Sequence, residues 1–285
     1  MNVPSLWTLA WHAWALTPLL NVAAVLALCV YLVGVRRVRR GWPLRRTCAF
    51  AAGLAAVLVA TESGYDAYDD TLLSVHMVQH LLLLEVAPLL LLGGQPAMLL
   101  MRASPPAMRP GLARGFRRLR PLTRPLACLA IFCAIVAGAH TPAFFDATVH
   151  DQALHELEHA AFLAAGLFVW WPVLDADPIP SHRLEGVRRL SYVVAAMVPM
   201  TLIGTYLDTT TRVVYTAYLT PAHALGVSPL ADQRQAGAIM WVIGSLVMVV
   251  AGIWQTMAAL VAEERREQAR ERRLDALAAR EARLP

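Results

Sequence analysis

Seven apolar stretches decide what this chain can fold into before any single residue does. They run over about 14–35, 47–62, 72–93, 125–141, 153–174, 189–207 and 236–262. A helix needs about 20 apolar residues to cross the hydrocarbon core of a bilayer, and a helix satisfies its own backbone polar groups there. The expected fold is an all-α integral membrane protein with seven transmembrane helices. Pro88 and Pro199 interrupt two of the stretches, and a membrane helix accommodates proline as a kink. Composition agrees, with 58% hydrophobic and only 16% charged residues against about 25% charged in soluble domains. Residues 1–262 form the membrane domain. The tail 263–285 alternates acids and arginines at helical spacing, as a solvated extension of the last span or a docking surface for a partner.

The 25 basic residues are all arginine, and 23 of them fall in alternate connections. Arg36, Arg37, Arg39, Arg40, Arg45 and Arg46 follow the first stretch, and a block from Arg102 to Arg124 follows the third. Arg183, Arg188 and Arg189 follow the fifth, and the tail carries Arg265 to Arg283. Only Arg212 and Arg234 break the pattern. Arginine-rich connections stay cytoplasmic, so the N-terminus is expected outside and the C-terminus inside. This charge sets topology and implies no nucleic-acid partner. The N-terminus lacks the basic n-region of a signal peptide, so no cleavage is expected. Cys29, Cys48, Cys128 and Cys133 lie in or beside apolar stretches without a CxxC spacing and read as packing residues. Trp7, Trp11 and Trp14 read as an outer interfacial belt, Trp170 and Trp171 as an inner one.

Histidines sort the opposite way to arginines. On this topology eight of the nine are on the outer side, and only His182 is cytoplasmic. His76 and His80 open the third stretch, His155 and His159 open the fifth, and His140 closes the fourth. A spacing of four puts each pair on one helix face. Ionisable side chains inside a bilayer are functional candidates by default. Imidazole binds copper, zinc, iron or nickel, and two histidines at i and i+4 can share one ion. A metal site is therefore expected from His76, His80, His140, His155 and His159, with a hydrogen-bonded polar cluster or a proton route as the other readings. Glu158 and Glu156 would orient the rings or complement the helix N-terminus. His150 and Asp151 are loop candidates, and Glu62 and Asp208 belong to the same outer layer. Glu85 sits about 140° around the helix from His80 and is not expected on the histidine face. Met77 is a quarter-turn off that face, and the methionines read as packing.

The block His76-Met77-Val78-Gln79-His80 with Pro88, Gly93 and Pro96 resembles a signature of the CtaG family of cytochrome c oxidase assembly proteins. So do His140-Thr141-Pro142-Ala143-Phe144-Phe145-Asp146 and His155-Glu156-Leu157-Glu158-His159 running into Phe162, Gly166, Trp170 and Pro172. Leu230-Ala231-Asp232-Gln233 with Gly237, Met240 and Trp241 is similar to the family's last-span motif. Ala139 departs from the pattern, which has a tryptophan before the histidine. The resemblance implies a non-enzymatic, multi-pass protein of the bacterial cytoplasmic membrane that helps to build haem–copper oxidase by loading copper. Oxidase subunits and periplasmic copper chaperones would be its partners. Two other functions remain open on the residues: a membrane zinc hydrolase using Glu158 or Asp208 as base, and a bis-histidine haem protein.

Overall fold

A computed structural model gives the fold, and it describes residues 6–38, 41–179 and 183–281. Arg39, Arg40, His182 and Arg283 lie outside the described residues. Among those described, all regular structure is helical. The principal helices are α1 (Pro18–Arg37), α2 (Leu44–Glu62), α3 (Leu73–Leu81), α4 (Ala87–Gly93), α5 (Pro125–Ala139), α6 (Pro142–His150), α7 (Gln152–Val173), α8 (Gly186–Thr209), α9 (Pro229–Ala238) and α10 (Gly244–Glu281). Among the described residues, five helical runs are long and apolar enough to cross a membrane: Pro18–Arg37, Leu44–Tyr68, Leu73–Ala103, Gly186–Thr209 and Pro229–Arg272. Helices α5 and α6, bent by 70° at their junction, make a sixth if taken together. The tail is continuous with the last span, because α10 runs without a break to Glu281.

Polar groups tie the ends of these helices together. Glu62, at the end of α2 and fully buried, accepts hydrogen bonds from Thr17 N at 2.7 Å and Asn21 Nδ2 at 2.6 Å, which satisfies the start of α1. At the opposite ends of the same helices, Arg46 lies 4.8 Å over the Trp42 ring, with Arg102 at 5.9 Å. Trp42 Nε1 donates to Tyr31 Oη, which donates to the Gly94 carbonyl. Arginines of the first and third connections thus share one end of the molecule.

Helix α3 sits at the centre. Just beyond it α7 packs at Gly166 against the segment that continues α3, where a Cβ would overlap the Leu84 carbonyl oxygen and come within 2.5 Å of Pro88 Cγ. Glycine is needed there because the two backbones nearly touch. Between α3 and α4 runs a π turn, Leu82–Val86, and a second π turn, Ile239–Ile243, separates α9 from α10. Such turns insert one residue into the helical ladder and change which side chains share a face. Glu85 lies in the first, fully buried, with neither carboxyl oxygen hydrogen-bonded.

Some surface expectations change. Trp7 and Trp11 are exposed as a belt requires, but Trp170 is buried in the core beside Phe132 and Val169. Arg189 is also buried; its guanidinium meets Asp175 Oδ2 at 3.0 Å and donates to the Gln255 carbonyl at 3.0 Å. All four cysteines are free, and only Cys128 is fully buried.

Candidate metal centre

The site starts from a helix cap. Asp232 of α9 accepts from Leu73 N at 2.7 Å, Ser74 N at 3.3 Å and Ser74 Oγ at 2.5 Å. This fills the unsatisfied donors at the start of α3 and anchors the helix one turn before its histidines. His76 and His80 then face inward, 1% and 2% exposed. Asp151 caps α7 in the same way, accepting from Ala153 N and Leu154 N. That turns His155, Glu158 and His159 inward while Glu156 and Leu157 face out. His140 ends α5, and its Nδ1 lies 2.8 Å from the Val136 carbonyl. A carbonyl only accepts, so this bond puts the ring proton on Nδ1 and leaves a lone pair on Nε2.

Side chains from α3, α5 and α7 therefore meet in one buried layer. His76 Nε2 and His80 Nε2 are 2.6 Å apart, and Glu158 Oε2 lies 3.5 Å from the first and 3.7 Å from the second. Ring centroids of His76 and His155 are 5.2 Å apart, those of His155 and His159 4.1 Å, and those of His80 and His140 6.0 Å. Phe145 and Phe162, both fully buried, pack against the His76 and His80 rings. Met77 is buried in the hydrophobic core, as packing requires.

Among the described residues, three groups offer donor atoms within 4.8 Å of one another: His76, His80 and His159; Asp69, His155 and His159; and His76, His155 and Glu158. His80 Nδ1, His140 Nε2, His155 Nε2, His159 Nε2 and both Glu158 oxygens are buried without a hydrogen-bond partner. Native interiors seldom leave polar atoms so, and a cation could take up those that converge, whereas His140 belongs to none of the three groups. One ion about 2 Å from each donor separates its ligands by at most about 4 Å, which His76, His80 and Glu158 already satisfy.

Above the layer a cavity of about 280 Å³ is lined by Asp66, Asp69, Asp70, His76, His150 and His155, among others. Burial pushes the Asp69 carboxyl up to about 7, against the pull of His76. Burial likewise raises the Tyr218 phenol well above its ordinary value, so it remains a proton donor.

The remaining sequence candidates go elsewhere. His150 is exposed at the cavity rim and Asp151 serves as the α7 cap. Glu62 is occupied at the start of α1. Asp208 accepts from Trp241 Nε1 at 3.3 Å, tying α8 to the last span. His12 and His223 are exposed. Two residues at the site carried no distinguishing signal. Asp69 was one of several outer acids, and Tyr218, whose hydroxyl lies 2.9 Å from His76 Nδ1, comes from 142 positions away.

Residues 29–260 match the model of the family described as cytochrome c oxidase caa3 assembly factor. Uncharacterized proteins of Mycobacterium bovis and Mycobacterium tuberculosis are each 29% identical over 250 residues, covering 83% of this chain and 38% of the relative. One of Mycobacterium leprae is 28% identical over the same shares. The chain thus spans well under half the length of these curated relatives. No solved structure matches. With the match covering most of its length, the chain belongs to the cytochrome c oxidase caa3 assembly factor family.

Proposed function

We propose that this protein is a seven-span assembly factor of the bacterial cytoplasmic membrane that holds copper at its histidine layer and passes it to a cytochrome c oxidase subunit. The observation that carries the reading is the buried meeting of two histidine pairs, His140 and Glu158, with five imidazole or carboxylate groups bearing unpartnered atoms. Imidazole is a ligand that copper accepts in either common oxidation state. The carboxylate of Glu158 offsets the charge of a bound cation. On this reading the five apolar runs, the bent α5–α6 pair and α7 are the seven spans, and the arginine pattern puts the histidine layer on the extracytoplasmic side. Oxidase subunits and extracytoplasmic copper chaperones are the partners that this chemistry suits.

Elemental analysis of the purified protein beside a His76→Ala/His80→Ala double variant tests the reading. Stoichiometric copper in the wild type, lost in the variant, is expected. Deletion in the source bacterium is expected to leave oxidase apoprotein present but inactive, and normal oxidase activity there would overturn the assignment. A zinc hydrolase is the second reading, because Glu158 beside three histidines also suits a metal-activated water. Zinc in place of copper in the same elemental analysis would select it.

A further inference from the structure

We propose that the acidic cavity opens onto a loading site of its own, where Asp69 and His155 on the cavity wall, with His159 beyond them, hold a copper ion before it moves on to His76, His80 and Glu158. The inference rests on the reading of the histidine layer as a copper site. Three observations carry it.

The cavity of about 280 Å³ reaches the layer on one side only: Asp69, His76 and His155 line it, whereas His80, His140, His159 and Glu158 do not. Asp66 and Asp70 flank the same space, and a cleft of one charge sign concentrates the opposite ion and speeds its capture. Within that mouth Asp69 is built as a ligand rather than as solvated surface. It is 5% exposed, and its Oδ2 makes no hydrogen bond and faces His155 Nε2 at 3.3 Å. His155 is itself only 8% exposed, with the same nitrogen unbonded.

The outer and inner groups also share a member. His159 belongs both to the set with Asp69 and His155 and to the set with His76 and His80. His155 bridges likewise, standing with His76 and Glu158 in the third set. An ion held by Asp69, His155 and His159 can therefore gain the His76 Nε2 bond before it loses Asp69 Oδ2. It then gains His80 Nε2 as His155 leaves. Each step exchanges one ligand for another, and the ion keeps its oxidation state throughout. The Asp69 carboxylate offsets charge at the outer position and Glu158 at the inner one.

Stopped-flow transfer of copper(I) from a chromophoric chelator to the purified full-length protein in detergent tests the two positions separately. Asp69→Asn is expected to slow uptake on the order of ten-fold while leaving final stoichiometry unchanged. His80→Ala is expected to keep the fast phase and lose the tight end state. His155→Gln is the second outer variant, expected to slow uptake as Asp69→Asn does, and it decides the matter if Asp69→Asn does not fold. Wild-type uptake rates in the outer variants would overturn the loading site while leaving the inner copper site standing. A wild-type protein that takes up no copper removes both.

Discussion

The hydroxyl of Tyr218 lies 2.8 Å from the Asp69 carbonyl, to which it donates, and 2.9 Å from His76 Nδ1. A phenol has one proton, and a carbonyl can only accept, so the second bond requires His76 to donate from Nδ1. That leaves the Nε2 lone pair pointing at His80 Nε2, 2.6 Å away. Tyr218 thereby fixes the ring in the state that binds a metal, the role that outer hydrogen bonds play for ligand histidines. Tyr218→Phe is expected to weaken copper binding by about 10–100-fold with the fold intact. Competition against a chelator of known affinity measures this, and an unchanged constant would separate Tyr218 from the site.

Glu85 offers a prediction of the opposite sign. Both its oxygens are buried and unbonded, and a Cβ on Gly244 would sit 3.1 Å from Oε1. A buried polar group without partners costs about 1–3 kcal/mol relative to an apolar group of similar shape. Glu85→Leu is therefore expected to raise the thermal unfolding midpoint in detergent. A lowered midpoint would mean that the carboxyl serves a contact within the bilayer-embedded core.

That each histidine pair shares one inward helix face was legible in the sequence, because helical periodicity alone aligns residues four apart. What periodicity cannot report is a change of period. The position of Glu85 relative to His80 follows from a regular helix only if no π turn intervenes, and Leu82–Val86 is such a turn. Trp170 looked interfacial beside Trp171, yet it is buried in the main core cluster with Phe132 and Val169. Asp69 and Tyr218 approach the layer from connecting segments, where spacing along the chain says nothing about distance in space. Asp232 stood within a recognisable motif, but its bonds to Leu73 and Ser74 join positions nearly 160 apart.

Gly166 governs how closely the two histidine helices approach. Gly166→Val would drive a branched side chain into the Leu84 carbonyl and Pro88, separating α7 from the π turn and α4 that continue α3. Overpacking of this kind costs about 1–3 kcal/mol, and here it also moves His155 and His159 away from His76 and His80. The variant is expected to melt earlier and to bind less copper per chain. Gly138→Ala is the control: nothing lies within 4 Å of its Cβ, and α5 gains helix propensity. It is expected to leave copper stoichiometry at the wild-type level, and a loss there would show that the assay reads general damage.

Asp232 acts on the site through the orientation of α3. Its carboxylate takes Leu73 N, Ser74 N and Ser74 Oγ, so the first turn of the helix is held against α9 just ahead of His76. Asp232→Asn keeps one acceptor oxygen for the backbone, whereas Asp232→Ala leaves these donors buried and unbonded. Loss of a cap costs about 1 kcal/mol, and the stranded donors add to it. Both variants are expected to melt earlier, the alanine more so. Copper affinity is expected to fall in the alanine variant beyond what the melting shift explains, because the His76 and His80 rings lose their fixed direction. Thermal scans with chelator competition on the same samples separate the two effects. Equal affinity in Asp232→Ala and wild type would show that the α3 start has no hold on the ligand geometry.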